Sequence, residues 1–486
     1  MAGNNNLDAG ETSGTPAPPE PRPEPRPEPW RPLTMRRAEL PEAQRHPLLN
    51  AAGAKMLHGL RQHPAAPQFN FACGDRLDAA GLEAVRNHQR ALDHFVDQPP
   101  APAGSPPPWL AEFVDRCLRT VPFYRQRGGD PAGFLDLPPL TRDDLARVPW
   151  AFVPDDLPVA PLIVFDSSGT TGAPLLIPTT PEAAAGYLPL LNLALATALP
   201  GSGLRLTGGP GRVAILFVCA QRSTLTYATV SSVLDQAGVV KLNLSPSEWH
   251  DPADRIAYID ACAPELVTGD PFSLSELASL PITIRPKALI SSATTLLPEL
   301  RDHLAARFGC PVLDVYSMTE CRMIAVASGN GHAVLGHDLH VECLDPQGRP
   351  VADGGRGEIV VTSRRNPALP LLRYRTGDHA ALTWHSDRLM SGHPMLTRRM
   401  LIGLEGRTPV TFVSTDGRRI PSVDVTQALK PFALPHFHLD QSSDGALTLT
   451  LPPQALREFA PTDQALRAAL TAVFGHPVIH ILKFSS

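Results

Sequence analysis

The strongest local signal in the chain is Asp166-Ser167-Ser168-Gly169-Thr170-Thr171-Gly172-Ala173-Pro174, which follows directly on the apolar run Leu162 to Phe165. Small residues let a backbone approach a polyphosphate. The hydroxyls of Ser167, Ser168, Thr170 and Thr171, with the N–H groups around Gly169 and Gly172, supply neutral donors to its oxygens. A strand feeding such a loop can cradle phosphate. It is not the G-x-x-x-x-G-K-[ST] loop, because no lysine follows the glycines. Taken alone, the same residues also make an ordinary Ser/Thr/Gly turn that binds nothing.

Three further stretches stand downstream: Asp314-Val315-Tyr316-Ser317-Met318-Thr319-Glu320, Arg373-Tyr374-Arg375-Thr376-Gly377-Asp378 and Glu405-Gly406-Arg407-Thr408. With the loop, and in this order, they resemble the motifs of the adenylate-forming superfamily of acyl-CoA synthetases, nonribosomal peptide adenylation domains and luciferases. VPFYR (Val121 to Arg125), LPPLTRDDLARVP (Leu137 to Pro149), GRGEIVVTS from Gly355 and ALPLLRYRTGD (Ala368 to Asp378) are similar to the phenylacetate-CoA ligase branch. The resemblance covers about residues 105 to 430.

That resemblance implies an ATP-dependent ligase. It activates a carboxylic acid as acyl-adenylate and then transfers the acyl group to CoA. Such chemistry must stabilise charge at the α-phosphorus as pyrophosphate leaves, which calls for oriented donors and a cation. The implied roles are Ser167 to Gly172 as cradle, with Thr170 also catalytic, Thr319 donating to the α-phosphate and Glu320 holding Mg2+, a hard cation that favours carboxylate oxygen. Asp378 would accept the ribose hydroxyls. Tyr316 would stack on or flank adenine, beside Ser292-Ala293-Thr294, and Arg407 would contact ribose or phosphate at the hinge of a lid. The acyl pocket is expected around Phe217 to Tyr227 and Ile290 to Thr295, where no Lys or Arg obviously pairs with a second carboxylate. An aryl or otherwise apolar acid is therefore expected.

The elements that must position these residues follow from composition and pattern. At 486 residues with 43% hydrophobic content, the chain can bury one large core and more naturally two unequal ones. A net charge of -5 without basic stripes gives no footprint for nucleic acid. The N-terminus has neither a basic start nor an apolar core, so no secretory signal is expected. The longest apolar stretch, near Tyr187 to Pro200, is interrupted by Pro189 and too short for a membrane span of about 20 residues. Seven widely spaced cysteines without a C-x-x-C pair suit a reducing compartment, and a cytoplasmic protein without structural disulfides is expected.

The fold class expected is α/β: a large domain of stacked α/β layers with an antiparallel subdomain, plus a small α+β C-terminal lid. Residues 1–33, with PAPPEPRPEPRPEPW, read as a disordered leader because Pro denies regular bonding and nothing supplies a core. Residues 34–100 read as a helical extension, in which Leu82, Val85, Leu92 and Val96 share a face. Residues 101–405 alternate β-rich runs (PLIVFD, RVAILFV, SSVLDQAGVV, ELVTG, KALISS, PVLDVYS) with helical ones, and 406–486 make the lid.

Two departures from the family pattern stand out. Ligases that make CoA thioesters usually follow Gly-Arg-x with two acidic residues at the hinge, whereas Thr408 is followed by Pro409-Val410, and proline fixes φ. The family's late Gly-Lys has no obvious counterpart before PVIHILKFSS, where Lys483 sits among apolar neighbours as an edge-strand residue. Ala173 also stands where the loop often carries lysine. These features leave two alternatives open: an adenylate former that passes the acyl group to an amine, a carrier protein or another nucleophile, and a catalytically weakened nucleotide-binding homologue.

Overall fold

The computed structural model describes residues 40–97, 106–127, 133–166, 175–221, 224–387, 396–406, 411–429, 432, 437–451 and 462–483. The Pro-rich leader, the linker near residue 100, the cradle residues 167–174, and Arg407, Thr408 and Pro409 lie outside them.

Helices α1 (Glu42–Arg45), α2 (Ala51–Arg61) and α3 (Ala79–Asp97) come first, and Leu60 and Leu92 pack into the cores of the large sheet. On α3, Val85 and Leu92 are fully buried and Val96 is partly so, as the shared face predicts, while Leu82 is only half-buried. The helices α4 (Leu110–Thr120), α5 (Pro122–Arg127) and α6 (Arg142–Arg147) come next, followed by a hairpin of β1 (Ile163–Asp166) and β2 (Leu176–Thr179). Asp166 pairs with Leu176 across that hairpin, so the two strands bracket the cradle residues.

Helices α7 (Pro181–Ala185) and α8 (Tyr187–Ala198) lead into a sheet whose strands are β3 (Val213–Cys219), β4 (Tyr227–Ser231), β5 (Ala237–Asn243), β6 (Leu266–Gly269), β7 (Ala288–Ser292) and β8 (Val312–Met318). It continues through β9 (Arg322–Ser328), β10 (Gly331–Val334), β11 (Leu339–Leu344), β12 (Arg356–Ser363), β13 (Leu371–Asp387) and β14 (Leu396–Glu405). The spatial order is β11-β12-β13-β14-β10-β9-β8-β7-β6-β3-β5-β4. Neighbours from β8 through β5 are parallel, while from β8 to β11 every pairing is antiparallel. Helices α9 (Asp254–Cys262), α10 (Pro271–Ser279) and α11 (Pro298–Phe308) connect the parallel strands; β3, β5, β6 and β7 are mostly buried, as strands covered on both faces are, while in β8 Leu313 and Val315 are buried and the rest is half-buried. The mixed α/β class matches the expectation.

The run SSVLDQAGVV, read as one β segment, is instead split. β4 ends at Ser231, β5 begins at Ala237, and the turn between them puts Asp235 and Gln236 at φ 50° and 64°. Left-handed turns of this kind usually announce themselves with Gly or Asn, and here neither is present at those positions.

Beyond residue 411, β15 (Thr411–Val413) and β16 (Arg419–Pro421) form a hairpin, followed by α12 (Ser422–Leu429), β17 (His438–Gln441), β18 (Leu447–Leu451), α13 (Asp463–Phe474) and β19 (Ile479–Lys483). Phe412, Ile420, Leu439, Leu447, Leu466, Leu470 and Phe474 are buried together in a core separate from those of the large sheet. Thr462 caps α13 by accepting from Ala465 N, and Leu466, Leu470, Val473 and Phe474 follow at helical spacing on its inner face. β19 lies parallel to β18 at the edge of its sheet, so Lys483 belongs to an edge strand.

Candidate active site

The sheet changes from parallel to antiparallel at β8, whose chain reverses through Thr319-Glu320-Cys321 into β9. In open α/β sheets the carboxyl ends of parallel strands are where ligands bind, because loops diverge there and leave a crevice. Ser292 ends β7 and pairs with Val315 on β8, one residue before Tyr316. Ala293 follows with φ 77°, strained for a side chain bearing Cβ, and with Thr294 it is exposed.

Two hydrogen bonds tie the β8 turn to β13. Tyr374 donates its hydroxyl to Glu320 Oε1 at 2.9 Å, and Tyr316 donates to Asp378 Oδ2 at 2.7 Å. Glu320 is 4% and Asp378 6% exposed, and buried carboxylates persist only when such partners hold them. Burial, and then the Asp378 charge, push the Tyr316 phenol well above its ordinary range, so it donates rather than ionises. Burial and the Glu320 charge do the same to Tyr374.

A third partner for Glu320 comes from far away in the chain: Arg142 Nη1 lies 3.2 Å from Oε1. Its helix, α6, is fixed by a capping box between Thr141 and Asp144. The preceding Leu140 bridges β13, donating N–H to Arg373 O at 2.9 Å and accepting from Arg375 N at 2.8 Å. Nothing local in LPPLTRDDLARVP marks Arg142 for this role, because its target lies 178 residues on.

β13 itself is braced from behind. Arg373, at φ 50° beside a bulge, grips Glu342 through Nε and Nη2, both at 3.2 Å, and donates Nη1 to the carbonyls of Leu135 and Leu137. Glu358 accepts from the Arg375 guanidinium and from Gly377 N, and Gly377 takes φ 80° to turn the chain into Asp378. A Cβ on Gly406 would stand 3.8 Å from Asp378 Oδ1, so the start of the Gly-Arg motif lies beside that carboxylate.

The geometry therefore brings Tyr316, Glu320, Tyr374 and Asp378 together and sets Ser292 alongside. Thr319 occupies the same turn, half-buried. The structure says nothing of Ser167, Ser168, Gly169, Thr170, Thr171, Gly172 or Arg407, which lie outside the described residues. Arg322 is a residue that sequence reading missed. Its guanidinium lies over the Phe165 ring at 5.2 Å and its Nη2 is buried with no hydrogen-bond partner among the described residues. Burial lowers its pKa to about 10. Tyr187 stands close enough to influence that charge, and its ring lies 6.0 Å from that of Phe217, one of the expected acyl-pocket residues. A lone Arg after Glu-Cys carries no sequence signal for such a position.

No family model matches the chain. Among curated proteins it is 24% identical to a phenylacetate-coenzyme A ligase of Thermus thermophilus over 369 residues, 70% of this chain and 78% of that protein. It is also 24% identical to one from Pseudomonas putida, over 67% of this chain and 73% of that protein. A 30% identical match to the Escherichia coli enzyme spans 155 residues, 34% of its length. Solved structures similar to it include a 2-hydroxyisobutyryl-CoA ligase in complex with 2-HIB-AMP and CoA, at 17% identity, covering 84% of this chain and 87% of that one with a TM-score of 0.47. An amide bond synthetase from Marinactinospora thermotolerans matches at 17% identity over 69% of each chain, with a TM-score of 0.36. The chain is related in sequence to the phenylacetate-coenzyme A ligases, the branch its motifs resemble.

Proposed function

We propose that this protein uses ATP to activate a carboxylic acid as its acyl-adenylate and transfers the acyl group to CoA. The observation that carries the reading is the pair of bonds from Tyr374 to Glu320 and from Tyr316 to Asp378. They hold two buried carboxylates at one end of the parallel strands, as a nucleotide and its cation need. The sequence relationship to phenylacetate-coenzyme A ligases supports the same chemistry.

In this reading Asp378 accepts from the ribose hydroxyls, with Tyr316 and Ser292-Ala293-Thr294 flanking adenine. Ser167, Ser168, Gly169, Thr170, Thr171 and Gly172 cradle the phosphates, and Thr319 donates to the α-phosphate. Glu320 fits a Mg2+ ligand. Both of its protein bonds fall on Oε1, so Oε2 is committed to neither, and a hard cation prefers such an oxygen. The cation would neutralise charge on the phosphates as pyrophosphate leaves. Arg142 already brings one positive charge to this carboxylate. Residues 406–486 act as a lid hinged at Arg407, in a protein that works in the cytoplasm. Among the described residues no helix is long and apolar enough to cross a membrane, and all seven cysteines are free thiols.

One feature favours a second acceptor. Pro409 stands where an acidic hinge residue is usual, so an amine or carrier thiol presented without a full lid swing is the alternative to CoA. The test is product analysis: the enzyme, ATP, Mg2+ and a panel of aryl and short alkyl acids, with and without CoA. AMP together with an acyl-CoA thioester is expected. AMP formed only with amines would move the acceptor, and no acid-dependent AMP would end the ligase reading.

A further inference from the structure

Away from the Glu320–Asp378 pairings, a half-open cavity of about 270 Å3 is lined by residues of α3, α7, α8, the start of β9, the loop before β11 and the segment after β12, among them His88, Glu182, Arg322, His337, Asp338 and Arg365. Three of these residues converge. His88 Nε2 lies 2.8 Å from Asp338 Oδ2, His337 Nδ1 lies 3.8 Å from the same oxygen, and all three donor atoms are within 4.8 Å of one another. Among the described residues this is the one His/Cys/Asp/Glu group so arranged.

A hydrogen-bond network accounts for only part of it. His88 and Asp338 satisfy each other, yet His337 Nδ1 is buried and has no hydrogen-bond partner among the described residues. An imidazole nitrogen taken out of water for no closer contact than 3.8 Å to a carboxylate is costly, and a bound ion would complete it. The donors are also fixed from behind, as the outer shell of a metal site is. Arg365 Nε holds the other Asp338 oxygen at 2.7 Å. Trp109 Nε1 holds the His337 carbonyl at 2.9 Å, and the Phe95 ring stands edge-on to the His337 ring with centroids 5.3 Å apart. Tetrahedral zinc with ligands at about 2.0–2.2 Å spaces its donors roughly 3.3 Å apart. The observed 2.8 and 3.8 Å straddle that value, so small side-chain shifts suffice.

We propose that His88 Nε2, His337 Nδ1 and Asp338 Oδ2 bind a zinc ion whose fourth position opens into the cavity. Two imidazoles and a carboxylate are the donor set such an ion favours. Arg365 is already paired with Asp338, but Arg322 in the same cavity, whose Nη2 has no hydrogen-bond partner among the described residues, favours a small anion at the fourth position. The ion ties the N-terminal extension, through α3, to the loop at the edge of the large sheet, so zinc binding raises thermal stability by mass action.

The test uses the full chain without a histidine tag, stripped by chelator, dialysed and titrated with zinc, with bound metal counted by atomic emission. One zinc per chain is expected. His88→Ala and His337→Ala should each weaken binding at least tenfold, and His332→Ala, outside the trio, should not. A wild-type chain that retains no zinc, or a His88→Ala/His337→Ala double variant that binds as tightly, overturns the proposal. Should the variants misfold, the cobalt-loaded wild type decides. Intense visible bands of a four-coordinate ion support the site, and a weak six-coordinate spectrum refutes it.

Discussion

The β8–β13 region and the segment beyond residue 411 are stabilised in opposite ways. Around the candidate active site the interior is full of charge, and each buried carboxylate has a named partner: Glu320 with Arg142 and Tyr374, Asp378 with Tyr316, Glu342 with Arg373. In the C-terminal segment the core is aliphatic and aromatic, and among its described residues Ser414 is the buried polar one. Buried pairs contribute little net stability but are costly to break, and they hold side chains in one geometry. An apolar core tolerates volume-conserving apolar changes best. Substitutions in the first region should therefore alter chemistry or specificity, whereas those in the second should act on packing or on lid movement.

The largest effect expected is at Glu320. Glu320→Gln keeps the shape and the Tyr374 contact but removes the charge, and it should slow acid-dependent pyrophosphate release at least about a hundredfold. Near-normal turnover would break the contrast at its centre, because the pairings would then be structural only.

Next comes Arg373, buried and gripping Glu342, whose carboxyl burial pushes up against the pull of that guanidinium. Arg373→Met should cost about 3–5 kcal/mol in urea unfolding by leaving Glu342 unpaired, and Arg373→Met/Glu342→Leu should recover most of it. The matched change in the other region, Arg418→Ala, removes one 3.3 Å bond from an exposed residue to the Val473 carbonyl and should cost no more than about 1 kcal/mol. Equal losses at the two sites would erase the distinction.

The hinge sharpens the comparison on the other side. Pro409→Asp should raise CoA-thioester formation without changing ATP affinity, read as thioester rate and nucleotide binding on the same preparation. Lys483→Ala should change neither if Lys483 is only an edge-strand residue. Loss of adenylation in that variant would make Lys483 the substitute for the family's late lysine.

The smallest effect is a pH dependence. Burial, reinforced by Arg399 and Arg373, lowers the His340 pKa to about 4 from its ordinary 6.5. The unfolded chain thus binds a proton at a pH where the folded one does not. The contribution is complete above pH 6.5 and is lost as the pH falls from there towards 4. His340→Leu should flatten the decline in melting temperature between pH 7 and 5. An unchanged slope would mean that other groups carry it.

The motifs were legible because each is contiguous and its chemistry is written in adjacent residues: Tyr316 to Glu320, and Arg373 to Asp378. What closes them into a site was not. Arg142 reaches Glu320 across 178 residues and Tyr374 reaches it across 54, and no local pattern encodes those contacts. Arg322 was invisible for the same reason. The broad alternation of strands and helices carried the fold class, while the β4–β5 turn escaped because Asp235 and Gln236 adopt left-handed backbone that their residue types do not advertise.

The central claim, activation of an acid as its adenylate, is most directly tested by ATP–pyrophosphate exchange. Wild-type protein with Mg2+ should incorporate labelled pyrophosphate into ATP only when a suitable aryl or short alkyl acid is added, without any need for CoA. Exchange that is absent for every acid, or equally fast with no acid, would contradict the account.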